Sequence, residues 1–270
     1  MRLANAERLQ MDTQLRAAIA NKEFRLFLQP LVRLADRSIV GFEALLRWAH
    51  PRGELLNSGQ FITQAERSGV ITILDEWVMR AAIDWLASAP AACYCNVNVS
   101  ALSLLDAEWV TRVIELLRAQ VQPFGRLRLE ITETALLGCA TEIATTLDRL
   151  VAAGAQIFLD DFGTGFSSLS HLQRFPIEGI KVDRSFVTRL HSSERDRRIV
   201  AAMVGLANDL GLSLTAEGVE TEAQRTCLIE IGCELAQGYL FGQPVAAHDA
   251  LGAIIKQHID GAQIWPTAKV

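Results

Sequence analysis

EIATTLDRLVAAGAQIFLDDFGTG, residues 142–165, is the stretch that decides the fold. Glu142–Ala153 reads as a helix. Gly154 ends it by adopting a left-handed conformation easily. Gln156–Leu159 follows as a short, strongly apolar strand. Two acids, Asp160 and Asp161, then close the strand and open a Gly-rich loop. Helix, glycine, buried strand, acid: this order is the unit from which parallel α/β sheets are built.

The same alternation extends outward in both directions. Toward the C-terminus, strands are expected at Gly179–Val182, Leu212–Thr215 and Cys233–Tyr239. Helices are expected at Ser193–Leu210, Glu222–Ile231 and Ala247–His258, with a brief one near Ser168–Gln173. Toward the N-terminus come Leu127–Ile131 and Tyr94–Val99 as strands, with helices at Asp106–Gln120, Ile71–Leu86 and Gly59–Ser68. The opening breaks the pattern. Phe24–Leu28 is a strand stopped by Gln29-Pro30, and Ser38–Leu46 is a second strand only about ten residues later. That link is too short for a crossover and fits an antiparallel pair. About eight strands in 270 residues suit an α/β fold of the (β/α)8 TIM-like barrel type with one antiparallel strand near the start. An open doubly wound sheet would carry a Gly-rich loop after its first strand, and Phe24–Pro30 holds no glycine. The expected organisation is a lead-in helix over residues 1–20, one barrel domain over 21–262 and a tail over 263–270.

Bulk composition agrees. Half the residues are hydrophobic and 21% are charged, so a large core can form. A net charge of −5 argues against binding duplex nucleic acid, which needs a basic face. No apolar run is long enough for membrane insertion. The N-terminus lacks a secretory signal, and five cysteines without a CxxC pattern suit reduced thiols in the cytoplasm.

In a parallel barrel the C-terminal strand ends share one face, so acids distant in sequence converge there. Glu43, Asn98, Glu130, Asp160-Asp161 and Glu217 each close an apolar run, and Lys181 and Gln237 occupy similar places. Such a concentration of carboxylates repels itself unless a cation intervenes. Asp160 and Asp161 should point different ways, because side chains alternate along a strand; the same pair also suits an exposed turn. Glu130 and Glu133, three apart, should do different jobs, one facing the pocket and one holding a loop. Arg47 can pair with a phosphate or with Glu43. Asn98 needs a partner for its buried amide, either a hard cation or backbone. Lys181 should face inward among the acids. No histidine lies in these patches, which favours Mg²⁺ or Mn²⁺ over zinc or iron.

The ordered series Gln29-Pro30, Glu43-Ala-Leu45, Asn98-Val-Ser100, Glu130-Ile-Thr-Glu133, Asp160-Asp-Phe-Gly-Thr-Gly165, Lys181-Val-Asp183, Ala216-Glu-Gly-Val-Glu220 and Gln237-Gly-Tyr239 resembles the EAL-domain family, bacterial phosphodiesterases that open cyclic di-GMP. The resemblance runs from about Leu9 to His258. It implies a barrel with one reversed strand, and hydrolysis of cyclic di-GMP to linear pGpG by water activated between two Mg²⁺ or Mn²⁺ ions. It implies Glu43, Asn98, Glu130 and Asp160 as ligands of one metal and Asp161 as a ligand of the second. Lys181, Glu217 and Gln237 would hold the attacking water, and Gln29, Arg47 and Asp183 would contact substrate. Glu133 would steady the loop after Asp161. A homodimer and an upstream sensory or regulatory domain are also implied. Phe166 stands where the family usually has Tyr, and Asn57-Ser58 stands near a usual Pro. The rivals are a receptor of the same type that binds without cutting, and an unrelated Mg²⁺ barrel enzyme that stabilises an enolate.

Overall fold

The structure is a computed structural model that describes residues 2–119, 125–137, 140–165, 172 and 174–260. Phe166, Cys139, the tail over 263–270 and most of the helix expected over Ser168–Gln173 lie outside the described residues.

The described residues form ten strands: β1 (Phe24–Arg33), β2 (Ile39–Ala49), β3 (Leu55–Asn57), β4 (Tyr94–Asn98), β5 (Leu127–Thr132), β6 (Gln156–Phe162), β7 (Ile177–Val182), β8 (Ser213–Ala216), β9 (Leu235–Gln237) and β10 (Val245–Ala246). Eight of them close into a barrel in the order β1-β9-β8-β7-β6-β5-β4-β2, with β2 returning to β1. β1 runs antiparallel to both neighbours, and every other adjacent pair in the ring is parallel. The short strands β3 and β10 extend β2 and β1 outside the ring.

Several boundaries differ from expectation: β2 runs on to Ala49, β6 runs on to Phe162, and β9 is confined to Leu235–Gln237. β1 does not stop at Gln29-Pro30 but continues to Arg33. On the side away from β2, β10 pairs with Phe27 and Leu28, and β9 pairs with Leu31 to Arg33. Pro30 falls in the gap between those two partners, where no donor is needed, so the proline is tolerated within the strand.

The lower barrel interior is filled by rings and one guanidinium. Arg128 lies 3.3 Å above the Tyr94 ring and 4.8 Å from the Phe158 ring. Two glycines make room for those rings. A Cβ at Gly41 would meet Tyr94 at 2.3 Å, and one at Gly179 would meet Phe158 at 2.3 Å and the Ser213 backbone oxygen at 2.9 Å. Helices cover the outside. Lead-in helix α1 (Arg2–Ala20) buries Leu15 and Ala18 fully, and Asp12 accepts a 2.6 Å bond from Gln64. Among the described residues no helix is long and apolar enough to cross a membrane.

A buried acid clamps the turn after β4. Asp75, on the helix Ile71–Ser88, accepts bonds from the Ser100 amide (3.0 Å) and the Ser103 hydroxyl (2.6 Å). Burial pushes its carboxyl up to about 7, against the pull of those two donors.

Two predictions follow from this packing. Gly179→Ala should destabilise the fold by about 1–3 kcal/mol, because a backbone oxygen cannot move aside; thermal unfolding measures it. For Asp75 the folded-state pKa lies above the unfolded value, so the folded form retains a proton that the unfolded chain loses. Stability should therefore fall as pH rises from about 4 to about 7 and then level off, by at most about 4 kcal/mol. Asp75→Asn keeps an acceptor but cannot ionise. Its melting temperature relative to the parent should climb between pH 5 and pH 8, and a pH-independent difference would refute this assignment.

Candidate active site

The parallel strands carry their polar residues to one mouth. Glu43 sits on β2, Asn98 on β4, Glu130 on β5, Asp160 and Asp161 on β6 and Lys181 on β7, while Glu217 directly follows β8 and Gln237 ends β9. At the centre is the Lys181 ammonium, 1% exposed. It lies 2.5 Å from Glu217, 2.8 Å from Glu130, 3.5 Å from Glu43 and 3.6 Å from Asp160. A rim of amides ties both Glu43 oxygens. Asn98 donates to Glu43 Oε1 at 2.8 Å, Gln237 donates to Glu43 Oε2 at 2.6 Å, and the same Gln237 nitrogen lies 2.9 Å from Gln29 Oε1.

The reversed strand is what brings Gln29 here. In the β1–β2 register Gln29 is directly opposite Glu43, and on its other side Leu31 is opposite Gln237. Gln29 thus reaches the mouth from mid-strand.

Asp160 and Asp161 correct a sequence expectation. They do not diverge as regular alternation would require. The β6–β7 register shifts between Leu159 and Phe162, and Asp161 takes a left-handed φ of 55°. Such a bulge re-aims side chains. Carboxylate oxygens of Asp160, Asp161 and Glu217 come within 4.8 Å of one another, the one such group of acids among the described residues. Glu217 is thus as well placed to ligate a cation as the acids of the expected ligand set. Glu43 and Glu130 are not in this group, and each meets the Lys181 ammonium.

The charges are unbalanced: five carboxyls face one ammonium. Burial raises Glu130 well above the usual carboxyl range, and Glu43, Asp160 and Glu217 add to that while Lys181 opposes it. Burial likewise pushes Glu217 up to about 8, with Asp160 and Glu43 contributing against Lys181. Asp161 is raised by burial and by Asp160 and Asp183. Burial acts on Glu43 too, but Lys181 and the amides of Gln237 and Asn98 outweigh it and hold its pKa low. Burial would discharge Lys181, yet the surrounding acids keep it firmly protonated. Two buried acceptors, Glu130 Oε2 and Gln237 Oε1, have no hydrogen-bond partner. Hard oxygen donors, excess negative charge and orphaned acceptors fit a divalent cation of the Mg²⁺ or Mn²⁺ kind.

Two cavities flank the cluster, and Glu43 lines both. One, of about 590 Å³, is bounded also by Asn98, Glu130, Ser58 and Asp75. The other, of about 230 Å³, is bounded by Gln29, Asp160, Glu217 and Gln237 together with Arg184, Glu220 and Tyr239. Arg47 and Asp183 line neither. Arg47 does not pair with Glu43; it donates to the Leu46 carbonyl, and burial lowers its pKa while the nearby Glu43 carboxylate opposes that. Asp183 caps the short helix Arg184–Val187 by accepting from the Ser185 amide at 3.0 Å. Glu133 is buried beside the loop, and a Cβ at Gly165 would sit 3.1 Å from its carboxyl carbon.

Sequence reasoning missed Asn96, Arg184, Glu220 and Tyr239. Asn96 was detectable: it stands two residues before Asn98, on the same face of β4. Arg184 carries no periodic signal, since it becomes part of a cavity wall only through the turn after β7.

The EAL domain family model matches residues 12–244. The chain is 40% identical over 257 residues to the bifunctional diguanylate cyclase/cyclic di-GMP phosphodiesterase MucR of Pseudomonas aeruginosa, covering 93% of this chain and 37% of that protein. It is 41% identical over 243 residues to the cyclic di-GMP phosphodiesterase NbdA of the same organism, covering 88% of this chain and 31% of that protein. The chain thus spans about a third of these curated relatives. Among solved structures, the cyclic di-GMP complex of the PaMucR phosphodiesterase superposes with a TM-score of 0.84 at 39% identity, over 90% of this chain and all of that one. The EAL enzyme Bd1971 with cAMP and cyclic di-GMP bound gives 0.87 at 29% identity, over 93% and 70%. With the reversed-strand barrel, the acid-lined mouth and a match across residues 12–244, this chain belongs to the EAL domain family.

Proposed function

We propose that this chain hydrolyses cyclic di-GMP to linear pGpG with two divalent cations, Mg²⁺ or Mn²⁺, held at the barrel mouth. The observation that carries this reading is the convergence of Glu43, Glu130, Asp160 and Glu217 on one buried point, with acceptor oxygens left over. The names of MucR and NbdA, and the cyclic di-GMP in the PaMucR complex, support the substrate.

In this reading Glu43, Asn98, Glu130 and Asp160 hold one cation, and Asp161 serves the second beside Asp160. Bound there, such cations would lower the pKa of a water and stabilise charge on the phosphate. The protein's own groups supply order. Glu217 and Lys181, 2.5 Å apart, orient the water and carry its proton, and Gln237 fixes Glu43 by its 2.6 Å bond. The water oxygen bonds to phosphorus, the P–O3′ bond breaks, and the 3′ oxygen takes up a proton. Gln29 stands at the mouth to meet the substrate, and Arg47 and Asp183 contact it as well. Glu133 steadies the loop after Asp161. A homodimer, an upstream sensory or regulatory domain and a cytoplasmic setting complete the reading. Cys93, Cys95, Cys227 and Cys233 are all free thiols, which suits a reducing compartment.

Purified protein incubated with cyclic di-GMP and Mg²⁺ or Mn²⁺ should release pGpG, seen by chromatography. Binding without product would point to a receptor, and no binding would sink the assignment. Glu43→Ala should lower turnover by on the order of 10²-fold or more while the melting temperature holds, since removal of even an indirect support of a metal ligand costs 10–100-fold. Full activity in that variant would remove Glu43 from the machinery.

A further inference from the structure

Asn96 has no role in the reading above, yet it is buried where a polar side chain is costly. It is 1% exposed, and its carbonyl Oδ1 has no hydrogen-bond partner. A small apolar residue would fill the same place without that loss. Its amide nitrogen lies 2.6 Å from Glu130 Oε1. The amide cannot sensibly be turned round. Oε1 already receives Lys181 at 2.8 Å, so a carbonyl facing it would set two acceptors against each other.

We infer that Asn96 is a positioning residue that presents Glu130 Oε2 to the divalent cation, an inference that rests on the cation reading of this mouth. Oε1 accepts from Asn96 and pairs with the Lys181 ammonium, and Oε2 has no hydrogen-bond partner. Lys181 alone cannot fix the carboxylate, because its long side chain is shared among four acids. Asn96 is short and sits on β4, the strand paired with β5 beside Glu130. Asn98, two residues on, does the same for Glu43 Oε1. One strand therefore carries two amides that orient the two glutamates flanking it. Outer partners of this kind set the orientation and basicity of a metal ligand.

Mn²⁺ binding by the intact chain, read by calorimetry and by the free-Mn²⁺ electron paramagnetic resonance signal, tests this without turnover. Asn96→Ala should weaken Mn²⁺ affinity by about 10–100-fold, with the KM for cyclic di-GMP unchanged and the melting temperature unchanged or raised. Asn96→Thr, suited to a strand, should show the same weakening and guards against a folding defect. In a Glu130→Gln background, Asn96→Ala should have little further effect on affinity. A folded Asn96 variant that binds Mn²⁺ like the parent would overturn the inference and leave the cation site standing. A parent protein that binds no Mn²⁺ would overturn the cation site, and this inference with it.

Discussion

One ammonium among four carboxylates is the constraint on which the site depends. Lys181 is fully enclosed and meets Glu43, Glu130, Asp160 and Glu217 within 3.6 Å. Burying such charges is costly, and an ion pair rarely repays its desolvation with stability. The apolar barrel core must therefore supply the energy that holds the cluster together. The directions of the pKa shifts show the imbalance: Glu130 and Glu217 are forced upward while Lys181 is held charged. Proton retention by Glu130 and Glu217 relieves part of the repulsion among the acids.

The reversed first strand shapes that cluster. A fully parallel barrel would place only strand ends at the mouth. Running β1 backwards sets Gln29 opposite Glu43, so a mid-strand amide joins Gln237, at the end of β9, along the closing seam. Below them the Arg128–Tyr94–Phe158 stack fills the interior, with Gly41 and Gly179 yielding space. The polar layer rests on this packed floor. Amide donors from β4 and β9 then decide which carboxylate oxygens are tied and which remain free.

Much of this was legible from residue order. The helix–glycine–strand–acid unit gave the parallel barrel, the short link after β1 gave the antiparallel pair, and Lys181 between Ile180 and Val182 could only face inward among acids. Other features were hidden. Gln29-Pro30 looked like a strand end, because nothing local shows that the opposite edge is empty at Pro30. Asp160 and Asp161 looked divergent, because a bulge depends on the neighbouring strand's register. Arg47 and Asp183 each make a local backbone bond, to the Leu46 carbonyl and the Ser185 amide, that strand periodicity does not announce.

The sequence by itself determined the barrel, the reversed strand and the set of acids at the strand ends, because hydrophobic periodicity and strand polarity are written locally along the chain. Only the tertiary structure decided which acids share the ammonium, that Glu217 groups with Asp160 and Asp161, and that Asn96 ties Glu130. Those choices rest on cross-strand register and side-chain distances of a few ångströms, which arise only when distant strands close into a ring.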